Sequence, residues 1–199
     1  MNKKNIFFLL LAGFIVSLSC SCKKKKKPET ITFDYTYPDI TYSVKDSASF
    51  GSTSAGWTYI FVEKVSNADF LKVLSDKNIS SKDVSAVKMT SCTLTMTSTP
   101  DSSFNMFDSI FVKVGGTFVI GSDIYVSAAG DELVGQFYPV PKTGLKSITM
   151  QLTDVNLTGQ IAVDQQFAFR SKYYSFDHIL LPPISMKAVC SFSITGTTH

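Results

Sequence analysis

The sequence predicts an all-β chain: an antiparallel β-sandwich, immunoglobulin-like or related, carrying one short amphipathic helix. Three observations lead there. From Ile31 onward Thr, Ser, Val, Ile, Phe and Tyr dominate, residues that suit a pleated, half-buried surface. Runs of alternating apolar and polar residues recur. Turn signals separate the runs: Pro38-Asp39, Gly51 with Gly56, Pro100-Asp101, Gly115-Gly116, Gly130-Asp131, Pro141 to Gly144, and Pro182-Pro183. The 199 residues are 44% hydrophobic and 13% aromatic, which excludes a disordered or collagen-like chain and allows a real core.

The elements follow in order. Trp57 to Lys64 reads as a strand apolar on both faces, and so as a central one. Ser66, with Asp69 three residues later, forms a box-like helix start. Phe70, Leu71, Val73 and Leu74 then recur at helical spacing and Asn78 supplies a stop, predicting a helix over 67–77. A further helical turn is expected from Ser81 to Val87. A strand runs from Val87 to Ser98. Within it Met89 is out of phase with Cys92, Leu94 and Met96, so a bulge is expected near Thr90-Ser91.

Three later runs each keep one parity: Ile110, Val112 and Val114; Ile148, Met150 and Leu152; and Ile161, Val163, Phe167 and Phe169, with Gln165 the exception. The clearest run is the last. Ile184, Met186, Ala188, Cys190, Phe192 and Ile194 share one face, against Ser185, Lys187, Val189, Ser191 and Ser193 on the other.

The first residues form an address. Lys3 and Lys4 precede an apolar run, Ile6 to Leu18, broken only by Gly13 and Ser17. A bilayer span takes roughly 20 apolar residues, so this run fits the core of a secretory signal instead. Val16-Ser17-Leu18-Ser19-Cys20 resembles a bacterial lipoprotein signal, with Ser17 where leucine is usual. The resemblance implies cleavage before Cys20 and lipid attached to it. It divides the chain into a signal over 1–19, a lipidated cysteine with a Lys-rich linker over 20–29, and one β-sandwich domain over 30–199. Two or more acyl chains are enough for stable attachment.

Lys23, Lys24, Lys25, Lys26 and Lys27 are consecutive. They form either a stalk contacting anionic headgroups, at roughly 1 kcal/mol per lysine, or a solvated spacer. Ser21, with no aspartate there, resembles the pattern of outer-membrane sorting. The basic run, where surface-exported relatives are acidic, favours a periplasm-facing anchor. Beyond Lys27 there are 12 Lys and Arg against 16 Asp and Glu, a net of −4. Arg170 is the sole arginine. Charge therefore gives no reason to expect a nucleic-acid partner.

Val87 to Val114 carries a second resemblance. An alternating strand, a Thr99-Pro100 turn, and Phe104-Asn105-Met106-Phe107-Asp108-Ser109 lead into the next strand. This is similar to small lipid-anchored β-sandwich proteins of Bacteroidota-type outer membranes. The resemblance transfers no catalytic residues.

A search for chemistry finds little. Cys92 and Cys190 fall on inner strand faces, where they either form a disulfide or stay as core thiols; Cys22 lies in the stalk. No CxxC or zinc spacing occurs. His178 beside Asp177 lacks a nucleophile elbow, and His199 is the only other histidine. Glu63, Asp108, Asp154 and Asp164 show no spacing that selects a catalytic pair. Asp101, Asn105 and Asp108 form a weak calcium motif, better read as turn residues. Tyr35, Tyr37, Tyr173 and Tyr174 lie near predicted edges and loops. The expectation is a non-catalytic, lipid-anchored structural or interaction protein with an envelope protein partner, no cofactor and no metal. The alternative is a glycan- or ligand-binding module with an aromatic platform around Trp57 or Tyr173-Tyr174. An envelope hydrolase is disfavoured by the shortage of catalytic groups.

Overall fold

A computed structural model of the chain describes residues 27–44, 50–53, 56–98, 103–115, 117–120, 123–126, 130–162, 166–176 and 184–199. Cys20, Cys22, Lys23 to Lys26, Asp101, Asp164, Asp177, His178 and the Pro182-Pro183 turn lie outside these residues. In chain order the strands and helices are β1 (Thr30–Thr36), β2 (Ile40–Val44), β3 (Phe50–Thr53), β4 (Gly56–Ser66), α1 (Ala68–Asp76) and β5 (Ile79–Met96). After a 3-10 turn at Phe104–Met106 come β6 (Ser109–Val114), β7 (Thr117–Ile120), β8 (Asp123–Val126), β9 (Glu132–Phe137), β10 (Ser147–Thr149) and β11 (Gln151–Leu152). A one-turn helix α2 (Thr158–Ile161), β12 (Gln166–Ser175) and β13 (Ile184–Thr198) complete the chain.

The result is an antiparallel β-sandwich. One sheet has the order β1-β13-β5-β10, and β2 also pairs with β13. β1 and β2 act as one interrupted strand along the same edge of β13. Thr36 pairs with Ser191 and Ile40 with Ala188, and the Tyr37 amide bridges the break by donating to the Cys190 carbonyl. The second sheet runs β11-β9-β6-β12-β4-β3, so β4 has neighbours on both sides, as its two apolar faces predict. β7 and β8 form a separate hairpin.

β5 and β13 are the longest strands, at 18 and 15 residues. β13 keeps strict period 2, with every second residue from Ile184 to Ile194 buried. β5 does not. Its register against β13 slips between Ser191 and Phe192, leaving Thr90 as the extra residue, where the sequence places a bulge. It slips again on both sides of Gly196.

The helical turn expected at Ser81 to Val87 is therefore wrong: this stretch belongs to β5. The bulge at Ser85 spaces the buried Val84 and Val87 three apart, which imitates a helix. Two smaller expectations also change. Ile161 closes α2 instead of starting a strand. Gly51 lies within β3, not in a turn.

The Ile148-Met150-Leu152 parity holds, but the run changes sheets midway. Ile148 pairs with Leu94 of β5 in the first sheet, while Leu152 pairs with Gly135 of β9 in the second. This strand joins the two sheets along one side.

α1 lies where expected. Asn67 is the N-cap and the Ser66 hydroxyl accepts from the Ala68 amide, while Asn78, at φ 56, ends the helix in left-handed geometry. Phe70 and Leu74 are buried and Leu71 is partly buried. β5, at about 3.4 Å per residue, is roughly 60 Å long when straight, while the ten residues of β12 cover roughly 34 Å. The second sheet thus leaves part of the first uncovered, and α1 packs over that part.

Tyr37 sits at the junction. Its ring lies 6.1 Å from Phe70 of α1, 5.2 Å from Phe167 of β12 and 5.3 Å from Phe192 of β13. Its hydroxyl donates to Asn67 Oδ1 at 2.7 Å, and Asn67 Nδ2 donates to the Ile161 carbonyl at 2.8 Å. Gly115 permits a second close approach: it has φ 86, and a Cβ there would lie 2.7 Å from the Gly130 carbonyl oxygen.

Phe192 is 1% exposed and packs edge-on to Tyr37. Phe192→Ala is expected to destabilise the fold by about 3 to 5 kcal/mol in a denaturant titration. A loss under about 1 kcal/mol would contradict this packing.

Candidate functional site

Between the sheets, β2, β12 and β13 bring a file of polar side chains together. Ser171 Oγ donates to the Tyr42 hydroxyl at 3.1 Å, and Tyr173 donates to Met186 Sδ at 2.9 Å. The Tyr42 and Tyr173 hydroxyls lie 2.9 Å apart. The four side chains thus form one continuous hydrogen-bonded file. Burial is the main cause that pushes both phenols above their ordinary range, so the file stays neutral and offers no base.

Tyr37 and Tyr173, expected near the surface, are 2% and 0% exposed. They bury their rings and satisfy their hydroxyls internally. Tyr173 cannot form an exposed platform with Tyr174. Trp57 stands at the register position opposite Ser175 in β4.

The two cysteines adjoin this file. Cys92 and Cys190 are both free, buried, and directly opposed in the β5–β13 register. Cys190 Sγ donates to Cys92 Sγ at 3.6 Å. That hydrogen bond, followed by burial, pushes the Cys190 thiol well above its ordinary range, which opposes a role as nucleophile in the folded state.

Asp108 organises the end of the molecule where β5 finishes and β13 begins. Backbone bonds lead there in steps: Thr97 to Ser185, Met96 to Lys146, Phe104 to Leu145, and Asp108 to Tyr174. The Lys142 ammonium donates to the Asn105 carbonyl at 2.8 Å, the Phe107 carbonyl at 2.9 Å and Asp108 Oδ1 at 2.9 Å. Asp108 Oδ2 accepts from the Phe176 amide at 2.7 Å, and Asn105 Oδ1 accepts from the Gly144 amide at 2.7 Å. The oxygens that a calcium ion would need from Asn105 and Asp108 are thus engaged by the chain's own lysine and amides. Burial alone would raise the Asp108 carboxyl. The Lys142 and Phe176 hydrogen bonds and the Lys142 charge outweigh it and hold the group below its ordinary range.

Tyr138 and Phe176 flank this node, and they are 63% and 65% exposed. Phe176 also packs edge-on to Tyr174 at 5.3 Å. The sequence reading missed both aromatics. A tyrosine directly before a proline, at the end of an alternating run, was the available signal for Tyr138.

The remaining charges are scattered. Asp154 pairs with Lys88, and Asp131 with both Lys113 and Arg170. Glu63 is raised by burial. His199 Nε2 lies 2.8 Å from Asp83 at the opposite end. Lys27 is exposed at that same end and lines a shallow recess of about 550 Å³ with Lys77, Thr198 and His199. Among the described residues no three His, Cys, Asp or Glu side chains gather as metal ligands. Among them, too, no helix is long and apolar enough to cross a membrane.

No protein family matches the chain, and no curated protein does. Solved structures with some likeness include the infectious bursal disease virus VP2 subviral particle. It is 13% identical over 87% of this chain and 34% of its own, with a TM-score of 0.32. The chain spans about a third of that protein's length. A second is Desmodium yellow mottle tymovirus, 11% identical over 88% of this chain and 91% of its own, with a TM-score of 0.29. At these scores neither likeness carries an argument about function or assembly.

Because Asp108 is depressed in the folded state, its contribution is present above the ordinary carboxylate range, about pH 4, and is lost as pH falls through the folded value. Asp108→Asn is therefore expected to lower the thermal midpoint at pH 7. The gap to wild type should narrow below about pH 4. A gap that stays constant with pH would assign the loss to packing instead.

Proposed function

We propose that this chain is a lipid-anchored, non-catalytic interaction protein of the bacterial outer membrane, facing the periplasm and presenting its far end to an envelope protein partner. The observation that carries this reading is the polarity of the molecule. Lys27, the last of the five consecutive lysines, lies at the end formed by Glu29, Lys77 and His199. The exposed aromatics Tyr138 and Phe176 lie at the other end, around Asp108. Lys27 lies seven positions after Cys20, a reach of at most about 25 Å. Lipid on Cys20 would hold the Lys27 end near the bilayer, with Lys23 to Lys27 among the headgroups, and turn the aromatic end outward.

The outward face of the first sheet is a poor alternative for docking. Its hydroxyls pair with one another: Thr32 with Thr195 at 2.9 Å, Thr36 with Ser191 at 2.8 Å, Thr95 with Ser147 at 3.0 Å. Tyr138 and Phe176, in contrast, expose apolar surface where aromatic residues favour association. The same two rings suit stacking on a sugar, which keeps a glycan as the second reading.

Cys20→Ala is expected to abolish incorporation of labelled palmitate and to release the protein from the membrane fraction. Labelling that persists, and is lost only with Cys22, would displace the anchor.

A photo-crosslinking residue at position 138 or 176 is expected to give one discrete protein adduct in cells, absent when the same residue replaces Lys77. Smeared, glycosidase-sensitive adducts would favour the glycan. No adduct at either aromatic position would overturn the docking end.

A further inference from the structure

We infer that Cys92 and Cys190 are a disulfide-forming pair whose bridge locks the register of β5 against β13. The inference stands independently of the anchor. It rests on which edge of each strand the cysteines use. The Cys190 carbonyl accepts from the Tyr37 amide, on the β1–β2 side, and the Cys92 carbonyl accepts from the Met150 amide, on the β10 side. In an antiparallel pair a residue's N–H and C=O face the same neighbour. Neither cysteine therefore bonds the other's backbone, although they are directly opposed.

They occupy a non-hydrogen-bonded pair, where Cα atoms approach to about 4.5 Å and side chains come closest. That spacing is within the range a disulfide tolerates. The sulfurs are already 3.6 Å apart, and small side-chain rotations close the remaining distance.

The position gives the bridge its consequence. The register slips one step further on, between Ser191 and Phe192. A bulge leaves one residue unpaired and locally disrupts the ladder. A covalent tie at 92–190 fixes the pairing on one side of that slip. It also closes a loop between residues 98 apart in sequence.

The chemistry is thiol–disulfide exchange with a small external disulfide of the glutathione class. The Cys92 thiolate attacks that disulfide, forms a mixed disulfide and releases one thiolate. The Cys190 thiolate then attacks the Cys92 sulfur and releases the second. The chain loses two protons and two electrons, and one external disulfide becomes two thiols. In the folded chain the two residues are 0% and 1% exposed, so exchange takes place before the sheets close.

The test refolds the full chain from reduced denaturant in a glutathione redox buffer, blocks free thiols under denaturing conditions, and digests with trypsin without reductant. Cleavage after Lys88, Lys113 and Lys187 puts the two cysteines on the peptides 89–113 and 188–199, separate from Cys22. The expected result is one disulfide-linked species joining these peptides. On adding reductant to the folded protein during a thermal scan, the midpoint should fall by roughly 10 °C. The Cys92→Ala/Cys190→Ala double variant should show no such response. Recovery of both peptides in blocked form, or linkage of either to Cys22, overturns the inference. Should the double variant fail to fold, the peptide map of the wild-type chain decides alone.

Discussion

The pairing of β5 with β13 is the constraint on which the rest of the structure depends. Both strands exceed the length of any strand in the opposite sheet. Each has one inward apolar face, which must be covered along its whole length. A second sheet with a ten-residue strand as its backbone cannot do this alone. The helix between β4 and β5 covers what is left, with Phe70 and Leu74 directed at the exposed end of the first sheet. The helix is thus a requirement of the strand lengths. Leu71 and Leu74 of the helix lie beside Ile79, and exposing such a large aliphatic chain costs about 1.5 to 3 kcal/mol.

Where sheet, sheet and helix meet, the packing is held by polar groups with every role assigned. Tyr37 contributes a ring to three layers and a hydroxyl to Asn67, and Asn67 passes on to the Ile161 carbonyl. Ser171, Tyr42, Tyr173 and Met186 repeat the principle between the sheets. A buried polar group without a partner costs about 1 to 3 kcal/mol, so such chains tolerate only one arrangement of their members. Apolar contacts alone would permit the sheets to slide. These hydrogen bonds define one offset.

Much of this fold is legible in the sequence, and the misreadings have a common physical origin. β13 is visible because nothing interrupts its period of 2 from Ile184 to Ile194. β5 is readable only in part, because each bulge resets the phase. Met89 exposed one reset, and Val84 with Val87 disguised another as a helical turn. The tyrosines at 37 and 173 were misplaced because sequence shows a phenol but not its hydrogen-bond partner. Tyr37 finds its partner 30 positions away and Tyr42 finds Tyr173 at 131. The Lys142 node was hidden for the same reason. The sequence reads Asp108 and Asn105 as turn residues, and the cation that meets Asp108 comes from a turn 34 residues on.

The internal ammonium also sets how the polar groups around Asp108 are used. Lys142 engages two backbone carbonyls and a carboxylate, and Asp108 fixes the Phe176 amide in turn. Among the described residues, Lys142, Asp108 and Asn105 are thus engaged in holding the loops of this end. Beside them Tyr138, following β9, and Phe176, following β12, are exposed. Aromatic side chains have few rotatable bonds, so little conformational entropy is lost when they are covered. The opposite end carries Lys27, Lys77 and His199 and no comparably exposed large apolar side chain among the described residues. The two ends thus differ in what they present: Lys27, Glu29 and Lys77 with the His199–Asp83 pair at one, and two exposed aromatic rings at the other.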